Sequence, residues 1–157
     1  LGAGDVTVLG NPARTDRALR VGSARLVDHR SADLEAALGA SVPQGLDWIV
    51  DSVGNGATAT AALPLLHADG MFSVYGMDQF NGYSLGIRRL THSIRIRNEG
   101  YAEEETHDRV QESVRSGALR ADAWYDVDTL LPLSQAGNLL ERLDRNGYPK
   151  ILVDCTR

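Results

Sequence analysis

Leu46-Asp47-Trp48-Ile49-Val50-Asp51-Ser52-Val53, bounded by Gly45 and Gly54, decides the reading of the fold. It is short, rich in β-branched and aromatic residues, and closed at both ends by glycine, which marks a strand rather than a helix. Three more runs resemble it: Val6-Thr7-Val8-Leu9 before Gly10-Asn11-Pro12, Arg25-Leu26-Val27-Asp28, and Met71-Phe72-Ser73-Val74-Tyr75 before Gly76. These are nearly continuous apolar runs, the pattern of parallel strands covered on both faces. Helical stretches separate them. Residues 15–21 follow Pro12 and end at Gly22, residues 31–38 carry Ser31 as a cap, and residues 57–67 are rich in alanine. Asp69-Gly70 reads as the turn into the next strand. Alternating strands and helices with right-handed crossovers predict an α/β, Rossmann-like, doubly wound and mainly parallel sheet.

The second half is more polar. Residues 78–89 read as a glycine-containing loop or broken helix, and residues 93–97 as a further strand. Residues 103–116 alternate acids and bases, with Val110 and Val114 on one face, Glu103, Glu104 and Glu105 in the first turn, and Gly117 at the end. Residues 126–132 form a connection into a helix over 134–145, whose Leu139, Leu140 and Leu143 make a buried stripe. Lys150-Ile151-Leu152-Val153-Asp154 is a terminal strand. The expected organisation is an incomplete nucleotide-binding domain over 1–100 and a C-terminal segment over 101–157.

At 157 residues the chain is long enough for a real core, and 43% hydrophobic with 24% charged residues is ordinary globular composition. A net charge of −5 argues against nucleic-acid binding through a basic face. No apolar run approaches the ~20 residues of a membrane helix, and the expected address is cytoplasmic. Cys155 is the single cysteine, so the chain makes no internal disulfide. His29, His67, His92 and His107 are scattered without metal-ligand spacing and read as surface imidazoles. Asp47 and Asp51 share one side of their strand, which allows acid–base work. A strand-start role for Asp47 is the simpler reading.

In order and spacing, these signatures resemble the medium-chain dehydrogenase/reductase family. Residues 1–10 are similar to the end of that family's first nucleotide-domain helix running into its second strand. Gly22-Ser23-Ala24-Arg25-Leu26-Val27-Asp28 resembles its third strand, residues 46–54 its fourth and residues 69–76 its fifth. Leu131-Pro132-Leu133-Ser134-Gln135-Ala136, a helix, and then Lys150 to Asp154 resemble the return to its catalytic domain. The first strand and glycine-rich pyrophosphate turn have no counterpart here, since Gly2-Ala3-Gly4 precedes a strand rather than a helix. The family's zinc ligands also fall outside these residues, so no metal is expected on this segment.

The resemblance implies part of an NAD(P)-dependent alcohol dehydrogenase or reductase. It would transfer a hydride between cofactor and an alcohol/carbonyl pair or an activated alkene. The end of the second family strand chooses the cofactor. Here Gly10 and Asn11 lead to Arg14 and Arg17, with no acid before Asp16, which favours NADP while leaving NAD open. Ser52, Val53, Gly76 and Met77 carry over as cofactor contacts, and Gly54 joins them as a strand-ending glycine. A central strand missing from the sheet implies either a longer enzyme, acting on a small-molecule substrate as a homo-oligomer, or a partner chain that fills the gap. The alternatives are a shortened relative acting as a cyclase or isomerase, and a non-catalytic subunit.

Overall fold

The computed structural model describes residues 3–20, 22, 25–79, 81–98, 102–120, 130–139 and 152–156. The chain divides into two compact units, one of Val27–Tyr101 and one of Leu1–Leu26 with Ala102–Arg157.

In the unit of Val27–Tyr101, a sheet is built from β3 (Leu46–Asp51), β4 (Leu66–Val74) and β5 (Arg95–Arg97) in the order β3-β4-β5. Both pairings are parallel, with Ile49 opposite Phe72 and Phe72 opposite Ile96. Helix α2 (Leu34–Ser41) precedes β3, and α3 (Gly56–Ala62) crosses from β3 to β4. Ala59 and Leu63 from the crossover pack on Leu66 and Phe72, joined by Ile49, Val74, Tyr83 and Leu85. Leu63, Leu66 and Phe72 are fully buried, and each such side chain contributes about 1.5–3 kcal/mol. On the opposite face of the sheet Trp48 and Val50 stand exposed although Ser73 is buried, against the expectation of full cover on both faces. Trp48 lies over β4, where its indole Nε1 donates to Ser73 Oγ at 2.9 Å.

Three details depart from the sequence reading. The helix expected over 57–67 stops at Ala62, passes into a 3-10 turn over Leu63–Leu65, and the chain is already strand at Leu66. Pro64 accounts for this, because its ring and missing N–H cannot continue an α-helix. The cap of α2 is Asp33, not Ser31: Asp33 Oδ1 accepts from Ala36 N at 3.0 Å, whereas Ser31 donates its N–H to Asp28 O and its hydroxyl to Asp33 O. Asp69-Gly70 is a bulge within β4 rather than a turn before it. Between the pairs Leu46–Leu66 and Trp48–Met71, β3 advances two residues while β4 advances five. Asp69 takes a positive φ of 60° there. Its N–H donates to Ser93 O, Arg95 Nε donates to its carbonyl, and His92 Nε2 donates to Leu66 O.

In the other unit, β1 (Thr7–Gly10) forms a two-stranded sheet with β2 (Arg25–Asp28), whose first half belongs to this unit. Asn11 Oδ1 caps a 3-10 turn over Pro12–Arg14 by accepting from Ala13 N, and α1 (Thr15–Arg20) follows. Gly22, at φ 90°, closes onto Leu19 O as expected of a C-terminal glycine. Helix α4 (Glu103–Arg115) has its three acids in the first turn and leaves Val110 and Val114 exposed. Strands β6 (Leu131–Pro132) and β7 (Val153–Asp154) pair in parallel. The helix expected from Ser134 begins instead as a 3-10 turn over Leu133–Asn138. Leu140, Leu143 and the start of the terminal strand at Lys150 and Ile151 lie outside the described residues.

No helix among the described residues is long and apolar enough to cross a membrane. Strand β3 pairs with β4 on one side and with no described strand on the other. This is the pattern of a doubly wound sheet lacking its usual first strand.

Candidate functional site at the ends of β3 and β4

Because β3 and β4 are parallel, their carboxyl ends fall at one rim, where open α/β sheets bind ligands. Five residues singled out in the sequence meet there: Ser52, Val53 and Gly54 after β3, Gly76 and Met77 after β4. The ladder runs on past the strands. Tyr75 and Gly76 donate their N–H groups to Asp51 O at 3.1 and 3.2 Å, Asp78 N donates to Val53 O at 2.9 Å, and Gln79 N donates to Gly54 O at 3.2 Å.

Gly54 and Gly76 are required by this junction itself. Gly54 sits at φ 86°, and a Cβ there would run into the Gly76 carbonyl. A Cβ on Gly76 would run into the Val53 backbone. Close backbone approach, expected for a ligand, is used here between the two tips.

Asp51 holds the turn. Its Oδ1 accepts from Val53 N at 3.0 Å and from Gly54 N at 2.8 Å, and its Oδ2 accepts from the Tyr83 hydroxyl at 2.9 Å. Burial first, and the Asp51 carboxylate second, push the Tyr83 phenol well above its ordinary value. Asn55 then caps α3 through Thr58 N, and Gln79 Oε1 accepts from Gly56 N at 3.0 Å. The backbone is thus fixed while its apolar side chains face out: Val53 is 58%, Tyr75 51% and Met77 70% exposed. Neither Tyr75 nor the Asp51–Tyr83 pair was singled out as a site from sequence. The Asp-x-Val-Gly spacing was the available signal, because an aspartate commonly accepts from backbone N–H groups two and three residues on.

Asp47 and Asp51 do not form an acidic pair. Asp47 Oδ1 lies 3.0 Å from His67 Nδ1, and His67 Nε2 lies 2.6 Å from Gln44 O, so both imidazole nitrogens face acceptors. The Asp47 hydrogen bond first, then the one to Gln44 O, raise the His67 pKa. Gly10 ends β1, and the next residue, Asn11, spends its Oδ1 on Ala13 N, leaving Nδ2 as its donor. The Arg14 and Arg17 side chains lie outside the described residues. At the end of β2, Arg30 donates to both oxygens of Asp28 at 3.1 and 3.3 Å and, with its own backbone N–H, lowers the Asp28 pKa.

A shallow depression of about 310 Å³ is lined by Met71, Arg95, Ile96, Arg97 and Asn98, and includes none of the rim residues. Among the described residues no three His, Cys, Asp or Glu side chains converge as metal ligands. The donor set here does not fit a zinc centre, and no chemistry through zinc is assigned to these residues.

The sequence profile of the zinc-binding dehydrogenase family matches residues 1–115. No curated protein sequence matches the chain. Among solved structures, an alcohol dehydrogenase from Thermus sp. ATN1 is similar at TM-score 0.80 and 24% identity, over 98% of this chain and 45% of that one. Benzyl alcohol dehydrogenase from Acinetobacter calcoaceticus is similar at TM-score 0.77 and 14% identity, over 97% and 43%. An alcohol dehydrogenase zinc-binding domain protein from Burkholderia ambifaria is similar at 0.76 and 20%, over 97% and 42%. At these identities the likeness is one of fold, and the chain spans less than half the length of these structures.

Proposed function

The chain belongs to the zinc-binding dehydrogenase family, and on that premise we propose that it forms the nucleotide-binding part of an NAD(P)-dependent oxidoreductase. That enzyme interconverts an alcohol and a carbonyl compound, or reduces an activated alkene. The observation that carries this reading is the rim. Val53, Tyr75 and Met77 stay exposed on a backbone that six N–H bonds hold in place, and exposed apolar side chains at the carboxyl end of parallel strands fit the flat ring of a nicotinamide.

When bound, the cofactor supplies the hydride. The chain's residues hold and orient it. Val53 and Met77 offer an apolar surface to the ring, the exposed Ser52 is assigned a polar contact, and Gly54 and Gly76 keep both tips at one level. Gly10, Asn11 and Arg14 are assigned to the adenosine ribose. With no acid at the end of β1 and an arginine in the turn after it, NADP is preferred to NAD. In this reading residues 1–100 belong to the nucleotide-binding domain and residues 101–157 return towards a catalytic domain. The substrate is a small molecule, the enzyme is a cytoplasmic homo-oligomer, and the residues that would bind zinc lie elsewhere.

Titration of the full chain with NADPH, read by nicotinamide fluorescence, tests this. Saturable binding at micromolar cofactor is expected, weaker with NADH, and Arg14→Ala should cost NADPH about tenfold while leaving NADH unchanged. Absence of a saturable signal with either cofactor would refute the assignment.

A further inference from the structure

Asp51 grips the rim with its main chain and its side chain together. Its carbonyl takes the N–H groups of Tyr75 and Gly76, and its Oδ1 takes those of Val53 and Gly54. With Asp78 N on Val53 O and Gln79 N on Gly54 O, the rim's N–H groups at Val53, Gly54, Tyr75, Gly76, Asp78 and Gln79 are all spent within the rim. A ligand arriving there does not find these six N–H groups free. The Tyr83 hydroxyl sets the rotamer of the carboxylate from the far side, while its ring packs against the core of Ala59, Leu63, Leu66 and Phe72.

We propose that Asp51, oriented by Tyr83, is a positioning residue that turns the two strand tips into an apolar platform for an aromatic ring face. This rests on the cofactor reading above and specifies how the rim recognises the ring. A charged acceptor shared by two consecutive N–H groups is stronger than neutral pairing. Its removal strands the buried Gly54 N–H and frees the turn to re-aim Val53. The carboxylate touches no cofactor atom. It acts through the backbone.

The test compares Asp51→Ala, Asp51→Asn and Tyr83→Phe in the full chain, titrated with NADPH and read both for affinity and for the emission maximum of the bound nicotinamide. Asp51→Ala is expected to weaken binding about tenfold and to lose the blue shift that an apolar platform gives the bound ring. Asp51→Asn keeps an acceptor oxygen for Val53 and Gly54 and should restore both readouts. Tyr83→Phe keeps the ring in the core and should weaken binding several-fold, with a smaller blue shift.

Thermal unfolding establishes that each variant is folded, and the nearly isosteric Tyr83→Phe carries the test if Asp51→Ala is not. A merely structural Asp51 would lower the unfolding temperature but leave the emission of the saturated protein unchanged, which overturns the proposal. Unchanged affinity and emission in Tyr83→Phe, or failure of Asp51→Asn to restore either readout, also overturns it. Wild-type protein that binds no NADPH overturns the cofactor reading and this inference together. Wild-type binding with unchanged Asp51→Ala overturns this inference alone.

Discussion

Gly54 and Gly76 meet backbone to backbone, and neither has room for a β-carbon against the other strand's end. The tips of β3 and β4 are therefore a single unit. Alanine at either position must push the two apart.

Gly76→Ala is expected to destabilise the protein by about 1–3 kcal/mol, the usual cost of forcing a methyl group into filled space. Gly54→Ala should cost at least as much, because its φ of 86° adds backbone strain to the collision. Urea denaturation midpoints give both values. A loss under about 0.5 kcal/mol, the size of an ordinary surface change, would show that the tips are not locked.

Asp33 caps α2 and Ser31 does not, which fixes an order for two alanine variants. Asp33→Ala should cost about 1 kcal/mol, and Ser31→Ala a few tenths. Comparing their chemical denaturation separates the two readings of where the helix starts. The reverse order would place the cap at Ser31.

His67 faces an acceptor on each ring nitrogen, an arrangement that favours the imidazolium in the folded state. Its folded pKa is raised above the ordinary 6.5. The stability it contributes is therefore fully present below the unfolded value and is lost as pH rises through the raised folded value. Denaturation midpoints should fall as pH rises above the unfolded value. In Asp47→Asn, which removes the larger cause of the shift, that fall should be smaller and should end at lower pH. Equal pH profiles in the two proteins would dismiss the link.

Tyr83 is half-buried against the Asp51 carboxylate, and its phenol is raised out of the ordinary tyrosine range. In an alkaline ultraviolet titration, wild type and Tyr83→Phe should show the same phenolate signal up to about pH 11, because the other tyrosines supply it. Stability held by the neutral phenol is lost only as pH rises towards its raised value. A full tyrosine's difference between the two proteins near pH 10 would contradict the burial.

The alternation of strand and helix was legible because each strand ends at a glycine or a polar turn and each is too apolar for a loop. The glycine tips identified the rim for the same reason. Pro64 was legible in principle as the end of α3, yet the alanine-rich run before it hid the stop. The bulge at Asp69-Gly70 was not legible, since a turn and a bulge use the same residues and only pairing with β3 and β5 tells them apart. Tyr83 was invisible for a different reason. Its partner Asp51 lies 32 residues away, and periodicity carries no information at that range.

The extra residues of β4 between Leu66 and Met71 also bear on how this fold tolerates change. A strand shifted by one residue turns its inward set outward, yet here the surplus is looped out before Met71 and the pairs from Trp48–Met71 to Asp51–Val74 stay aligned. A change of length confined to the bulge is expected to leave the pairing of Phe72 and the rim in register. Relatives of this chain should accordingly differ in length at this point while keeping everything downstream in step.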